Sequence, residues 1–181
     1  MNAGGDILIL LAAGSARRMQ SVVDDKITAL LAGKPVFVHS LQSFLSTGLI
    51  GRVVITYRDD AQLAKLKGLL AAHLPSAPAV EFVPGGESRQ DSVLAALNTC
   101  EGHTGLVHVH DGARPLVSAE AIRKVRAKAF ETGAAILAGR AADTVKIAKA
   151  DSASVETSPD RGLVWTLSLI HISEPTRLRR I

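Results

Sequence analysis

A doubly wound α/β domain on a mainly parallel sheet is the fold this chain predicts, and three observations carry the prediction. Short runs rich in Val, Ile and Leu recur along the chain, separated by stretches with helical apolar spacing. Hydrophobic residues make up 47% of the 181 positions but aromatics only 3%, so the core must be aliphatic, as suits strands covered on both faces. The first apolar run, Ile7-Leu8-Ile9-Leu10-Leu11, passes directly into the small-residue turn Ala12-Ala13-Gly14-Ser15.

The elements follow in order. After the strand over Ile7 to Leu11, the small residues let backbone N–H groups approach an anion, and Arg17 and Arg18 add fixed charge. Lys26 can close over the same anion; a plain strand-to-helix turn with solvated arginines is the alternative. Pro35 suits a first helical turn, and Phe37, Leu41, Phe44 and Leu45 stripe the helix behind it. A strand over Arg52 to Thr56 precedes a helix striped by Leu63, Leu66 and Leu70. Next come a strand over Val80 to Val83 and a helix opened by the capping box Ser88/Asp91, running through Leu94 and Leu97. The fourth strand, Leu106 to His110, leads to a helix capped by Ser118, striped by Ile122, Val125 and Ala129, and closed near Gly133. A fifth strand covers Ala134 to Leu137. A polar stretch follows, with strand-like ends at Thr144 to Ile147 and Leu163 to Trp165.

Composition excludes several classes. Cys100 is the single cysteine, which rules out an intrachain disulfide and points to a reducing compartment. The N-terminus lacks a basic region before its apolar run, which is too short for a signal peptide or membrane span, so a soluble cytoplasmic protein without a membrane partner is expected. The formal charge is +4, but half of it lies after Ser168, where Arg177, Arg179 and Arg180 outnumber Glu174. The body has no basic run with interleaved aromatics, and no nucleic-acid partner is expected.

In such a sheet ligands gather at the carboxyl ends of the strands. Besides the Gly14 turn, two segments qualify. Pro84-Gly85-Gly86-Glu87-Ser88-Arg89-Gln90-Asp91-Ser92 allows close backbone approach before a helix N-terminus, although a capped helix start explains Ser88 and Asp91 without a ligand. In His110-Asp111-Gly112-Ala113-Arg114-Pro115, Asp111 is a natural Mg²⁺ ligand, or alternatively a turn aspartate paired with Arg114. Gly14 has no further glycines at the dinucleotide-binding positions, and Gly33-Lys34 is followed by Pro35 with no P-loop glycine before it. His108 and His110 share one strand face, where a packed or hydrogen-bonded role is expected for both.

Taken in order, Ala12-Ala13-Gly14 through Arg18-Met19, Lys26, Gly33-Lys34-Pro35 with His39-Ser40, Gly85-Gly86-Glu87-Ser88-Arg89-Gln90-Asp91-Ser92-Val93, His110-Asp111-Gly112-Ala113-Arg114-Pro115 and Asp143-Thr144-Val145-Lys146 resemble the 2-C-methyl-D-erythritol 4-phosphate cytidylyltransferase family. The likeness spans about residues 5 to 166. It implies a nucleotide-diphospho-sugar transferase-like fold and transfer of CMP from CTP to an alcohol phosphate, with release of pyrophosphate, in non-mevalonate isoprenoid biosynthesis. By the same resemblance Arg18 and Lys26 are the catalytic phosphate-holding residues, and Asp111 is the Mg²⁺ ligand. Ala13, Gly14, Gly86, Glu87, Ser92 and Gly112 bind the nucleotide, the last four at the cytosine. Arg114, Thr144 and Arg161 receive the methylerythritol phosphate. The segment from Asp143 to about Val164 is then an arm that embraces a second subunit, implying a homodimer.

Two departures stand out. Lys26 lies in Asp25-Lys26-Ile27, where the family has Pro-Lys-Gln. Asp-Lys here is reminiscent of the molybdenum-cofactor guanylyltransferases, which are not expected to carry His-Asp-Gly-Ala-Arg-Pro. After Trp165-Thr166 the family pattern of Thr-Pro-Gln, a further strand and helix, and Asn-x-Lys-Val-Thr is replaced by Ser168-Leu169-Ile170-His171-Ile172-Ser173-Glu174-Pro175-Thr176-Arg177, which resembles a translated sequencing adapter. The nucleotidyltransferase domain is accordingly expected over 1–166, with its last elements missing and 167–181 a non-native tail outside the fold. Ribitol-5-phosphate cytidylyltransferase and a non-catalytic nucleotide-binding domain are the alternative readings.

Overall fold

The computed structural model describes residues 5–14, 25–150 and 154–173, the last six by backbone alone. The central sheet has six strands in the order β5-β4-β1-β6-β10-β7, where β1 is Asp6–Leu11, β4 Ile50–Tyr57, β5 Val80–Pro84, β6 Val107–Asp111, β7 Ala134–Arg140 and β10 Trp165–Ser173. β4 and β6 flank β1 in parallel, and β5 joins β4 in parallel. β10 runs antiparallel to both β6 and β7, so β7 keeps the direction of β6. Five parallel strands with one reversed strand inserted make the sheet mainly parallel, as expected.

Alternation along β1 sends Leu8 and Leu10 to one face and Ile7 and Ile9 to the other, and both faces are covered. On the first, Leu8, Leu10, Val53 and Ile55 pack with Phe37, Leu41 and Phe44 of helix α1 (Val36–Leu45), Leu66 of α2 (Asp60–His73), and Ile122, Val125 and Ala129 of α4 (Ala119–Thr132). On the second, Ile7, Ile9, Val54, Val107 and Val109 meet Ala96, Leu97 and Cys100 at and beyond helix α3 (Arg89–Asn98). Each fully buried aliphatic side chain contributes about 1.5–3 kcal/mol. Leu94 departs from the expected stripe and is exposed: Ser92, Ala96 and Leu97 form the buried face of α3, and Leu94 lies off it.

The capping expectations hold. Ser88 and Asp91 form a reciprocal capping box, Ser118 Oγ accepts from Ala121 N, and Gly133 closes α4 at φ 80°. Pro35 is the residue just before α1. The small hairpin β2 (Leu30–Leu31) and β3 (Lys34–Pro35) turns through Ala32 and Gly33, whose φ values of 48° and 79° have the sign a type I′ turn needs. The arm pairs Ile147–Ala148 (β8) with Val155–Thr157 (β9); Thr144–Lys146 lies outside the ladder, and Leu163 belongs to a 3₁₀ turn, Arg161–Leu163.

The boundary expected after Thr166 falls inside β10: residues 167–173, expected outside the fold, continue the ladder to β7 and β6. Leu-Ser-Leu-Ile-His-Ile-Ser is rich in β-branched and aliphatic residues and suits a strand between two others.

His108 and His110 flank Phe44 on the α1 side of β6, at ring-centroid distances of 5.8 and 5.0 Å. Both have the hydrogen-bonded role expected of them. At the amino end of the sheet His108 Nε2 donates to Asp6 Oδ2 (2.8 Å), and Arg126 of α4 donates to both Asp6 oxygens (2.6 and 3.2 Å). Burial pushes the Asp6 carboxyl up, but the hydrogen bonds from His108 and Arg126 and their charges outweigh it, and the net pKa lies below the usual carboxylate value.

Candidate active site at the carboxyl rim of the sheet

β1 is the switch point of the sheet: the chain leaves it toward β4 and β5 on one side and returns on the other through β6. The strand ends there are where a doubly wound fold opens a crevice. Three loops meet at this rim, and short-range contacts lock each to its neighbour.

Thr56, at the end of β4, is fully buried, and its hydroxyl accepts from Ala12 N (3.1 Å) and Ala13 N (3.5 Å), tying down the first residues after β1. Gly85, after β5, donates to the Tyr57 carbonyl (2.7 Å) and presses against Ala13 so closely that a Cβ there would fall inside the 3.0 Å that real Cβ atoms keep. Gly86 N donates to Ser92 Oγ (3.1 Å), and that hydroxyl donates to the Ser88 carbonyl (3.0 Å). Ser92 is therefore buried with its one proton committed inside the turn, shaping the Gly86 backbone from below. Glu87 is exposed at the rim. A Cβ on Gly14 would meet nothing within 4 Å among the described residues.

The loop after β6 is held from within. Gly112 N donates to Leu11 O (2.9 Å), its carbonyl accepts from the buried Ser40 hydroxyl of α1 (2.8 Å), and His110 Nε2 donates to Arg114 O (3.0 Å). Asp111 is the last residue of β6. Arg89 Nε donates to one of its carboxylate oxygens (3.2 Å) and Arg114 Nε to the other (3.4 Å). The alternative pairing of Asp111 with Arg114 is thus present, and Arg89 joins it across the crevice.

Lys26 stands in a turn where Asp25 O accepts from Thr28 N and Ala29 N, and Asp25 Oδ1 accepts from Ile27 N (3.0 Å). Ile27 is buried in the core, and its Cδ1 lies 3.5 Å from where a Cβ on Gly112 would sit. Arg18 lies outside the described residues. Arg161 Nη1 donates to Ala142 O (3.3 Å), which brings it to the segment of Thr144 at the base of the arm. Arg140 Nη1 donates to Gly162 O (2.6 Å) while its guanidinium stacks over Trp165 at 4.8 Å. Arg140, Ala142, Arg161 and Gly162 line an open cleft with Ala141 and Asp160. Thr56, Arg89, Gln62 and Arg140 are the contributors that reading the motifs missed; only the position of Thr56 at a predicted strand end hinted at a role.

Among the described residues no group of three or more His, Cys, Asp or Glu gathers. A Mg²⁺ ion held with a nucleotide needs only one or two carboxylates, with phosphate oxygens and water supplying the rest. Asp111 fits that donor set: it stands at the rim, its side chain is 21% exposed, and its two arginine bonds are longer than the about 2.7–2.9 Å of strong charge-assisted pairs.

Fold and rim together define a nucleotide-diphospho-sugar transferase-type α/β protein. The solved structure of 4-diphosphocytidyl-2C-methyl-D-erythritol synthase from Anaerococcus prevotii superposes with a TM-score of 0.81 at 22% identity, covering 96% of this chain and 73% of the other. The 2-C-methyl-D-erythritol 4-phosphate cytidylyltransferase of Francisella tularensis gives 0.73 at 25% identity, covering 98% and 76%. The chain belongs to the 2-C-methyl-D-erythritol 4-phosphate cytidylyltransferase (IspD) family, whose model matches residues 7–169. The chloroplastic relative of that name from Oryza sativa subsp. japonica is 33% identical over 172 residues, 95% of this chain and 56% of its own length. That of Symbiobacterium thermophilum is 35% identical over 160 residues, 88% of this chain. The chain thus spans 56% and 64% of the lengths of these two relatives. No described helix is long and apolar enough to cross a membrane.

Proposed function

We infer that the chain transfers CMP from CTP to 2-C-methyl-D-erythritol 4-phosphate and releases pyrophosphate. The observation that carries this reading is the meeting of the Ala13, Gly85 and Asp111 loops at one rim, in a chain whose family is named for that reaction. A phosphate oxygen of the acceptor attacks the α-phosphorus of CTP in line, a new P–O bond forms, and the bond from the α-phosphorus to the bridging oxygen breaks as pyrophosphate leaves. Catalysis of this kind rests on positioning and charge stabilisation. Lys26 and Arg18 would hold the phosphates. The Ala13-Gly14 and Gly86-Glu87 backbone, with Gly112, would seat the nucleotide over the turn that Ser92 shapes. Arg114, Thr144 and Arg161 would take the acceptor phosphate. Asp111 would hold Mg²⁺, which when bound neutralises charge on the triphosphate.

A homodimer and a cytoplasmic location complete the reading. The homodimer would bury Ile147, Val155 and Leu163, which are exposed on the arm. The test is pyrophosphate release by purified protein with CTP, Mg²⁺ and the acceptor, with ³¹P NMR of the diphosphate ester. Turnover with ribitol 5-phosphate instead would move the assignment to that acceptor. CTP binding without turnover on either would make the chain a non-catalytic binder.

A further inference from the structure

The departure at Asp25-Lys26 has a structural counterpart in α2. Gln62 is 3% exposed and Asp25 7%, and they meet in the core beside the rim. Gln62 Nε2 donates to Asp25 Oδ2 (2.7 Å) and to the Ala12 carbonyl (3.2 Å), while Gln62 Oε1 accepts from Arg58 N (2.7 Å). The oxygen end alone would serve the helix start, where Asp59 already accepts from Gln62 N (2.8 Å). A glutamate could fill that capping role. What requires an amide is the nitrogen end, because two buried acceptors on separate segments share its two protons. One acceptor belongs to the peptide that opens the β1 loop. The other belongs to the residue immediately before Lys26, whose second oxygen holds Ile27 N.

We propose that Gln62 is a positioning residue that joins the Asp25 carboxylate to the Ala12 carbonyl and so fixes the Lys26 turn against the strand-end loop of β1. The inference rests on the proposed function for its kinetic readout, and on geometry for everything else. Lys26 is flanked by two anchored neighbours, Asp25 through Gln62 and Ile27 through the core, so its backbone has one place relative to the rim. Without the amide, Asp25 loses a partner inside the protein and the turn loses its tie to β1.

The test is a pair of double-mutant cycles on the full chain, read as kcat, KM for CTP and CTP affinity by calorimetry, with a urea midpoint for each variant. Gln62→Leu and Asp25→Asn are each expected to lower kcat about 10- to 100-fold, the scale on which small misplacements of a reacting group act. Combined with Lys26→Ala, neither is expected to slow the protein further, because both act through that lysine. Gln62→Glu, which keeps the capping acceptor and loses the donors, is expected to match Gln62→Leu. Effects that multiply in the double variants, or a Gln62→Glu protein with wild-type kcat, overturn the proposal. If Gln62→Leu does not fold, the Asp25→Asn cycle decides, since it alters a single atom of the pair. A wild-type chain that neither turns over nor binds CTP removes the proposed function and this inference together; an active chain with multiplicative cycles removes this inference alone.

Discussion

Adding one methyl group at Gly85 should separate two of the three loops that build the rim. The new Cβ would fall inside 3.0 Å of Ala13 Cβ, with Ser92 Oγ at 3.0 Å and Tyr57 O at 3.3 Å, so no direction is free. Restoring ordinary contact, 3.4 Å or more, moves the Ala13 and Gly85 segments apart by about 1 Å, a displacement that in a catalytic site costs about 100-fold in rate. Neither partner is the end of a long side chain, and Ala13 is also held by Thr56, so the strain enters the backbone. Overpacking of this kind costs about 2 kcal/mol, which lowers the melting temperature of a domain this size by about 4–8 °C. The assay is thermal unfolding of Gly85→Ala with CTP affinity by calorimetry. Ala13→Gly in the Gly85→Ala background removes the nearest obstructing atom and should recover part of both losses, giving a coupling of about 1 kcal/mol. A Gly85→Ala protein that melts and binds CTP like wild type would refute the view that this close approach sets the rim, and so would a double variant no better than the single one.

Thr56→Val keeps the shape and leaves Ala12 N without its hydroxyl acceptor, which should cost about 1–3 kcal/mol in a urea titration and weaken CTP binding. Asp111→Asn weakens its pairs with Arg89 and Arg114, whose side chains are 43% and 48% exposed, so stability should change by less than about 1 kcal/mol while Mg²⁺-dependent turnover falls about 100-fold or more; equal turnover would leave Asp111 a turn residue. At the other end of the sheet, the lowered pKa of Asp6 contributes stability that is present above the unfolded carboxylate value, about 3.9, and is lost as pH falls through the folded one. Asp6→Asn should cost about 3 kcal/mol at pH 6, where the buried pair is broken, and flatten the loss of stability as pH falls below about 4, measured by denaturant midpoints from pH 6 downward.

Much of the architecture was legible because it depends on local chemistry. The run Ile7 to Leu11 reads as a strand buried on both sides, and Ser88, Ser118 and Gly133 mark helix ends through hydrogen bonds that each residue type makes with its own neighbours. Periodicity also placed Asp111 at a strand end, one residue deeper in the strand than expected. What escaped was non-local. Nothing around Gln62 announces that its amide reaches 37 residues back to Asp25 and 50 back to Ala12. Arg89 looks like a helix-start arginine until β5 and β6 bring it to Asp111, 22 residues away. Leu94 falls on the apolar stripe that the sequence offers, whereas the buried face of α3 is made by Ser92, Ala96 and Leu97. The strand continues beyond Thr166 although the sequence there departs from the family pattern, because the ladder asks only for a backbone and side chains that tolerate a pleat.

That reversed strand brings the base of the arm to the same edge of the sheet as the three rim loops. β7 runs parallel to β6, so its last residue, Arg140, emerges at the same edge as Asp111. The chain goes out through the arm and must come back, and Trp165 re-enters opposite Arg140, at that same edge, before β10 descends between β6 and β7 to pair Ser173 with Val107 and Ala134. Exit and return are thus adjacent strands, cross-linked by Ala141 N to Val164 O (3.0 Å), by Arg140 to Gly162 O, and by the stacking of Arg140 on Trp165. A parallel strand in β10's place would have delivered the arm's return to the amino edge, near Asp6 and His108, and would have needed a crossover along the sheet. Antiparallel insertion instead plants Arg161 and the Thr144 segment at the carboxyl edge, where Asp111, Arg114 and the Ala13 and Gly85 loops already stand. On the function proposed above, the direction of one strand therefore decides whether acceptor and nucleotide would meet.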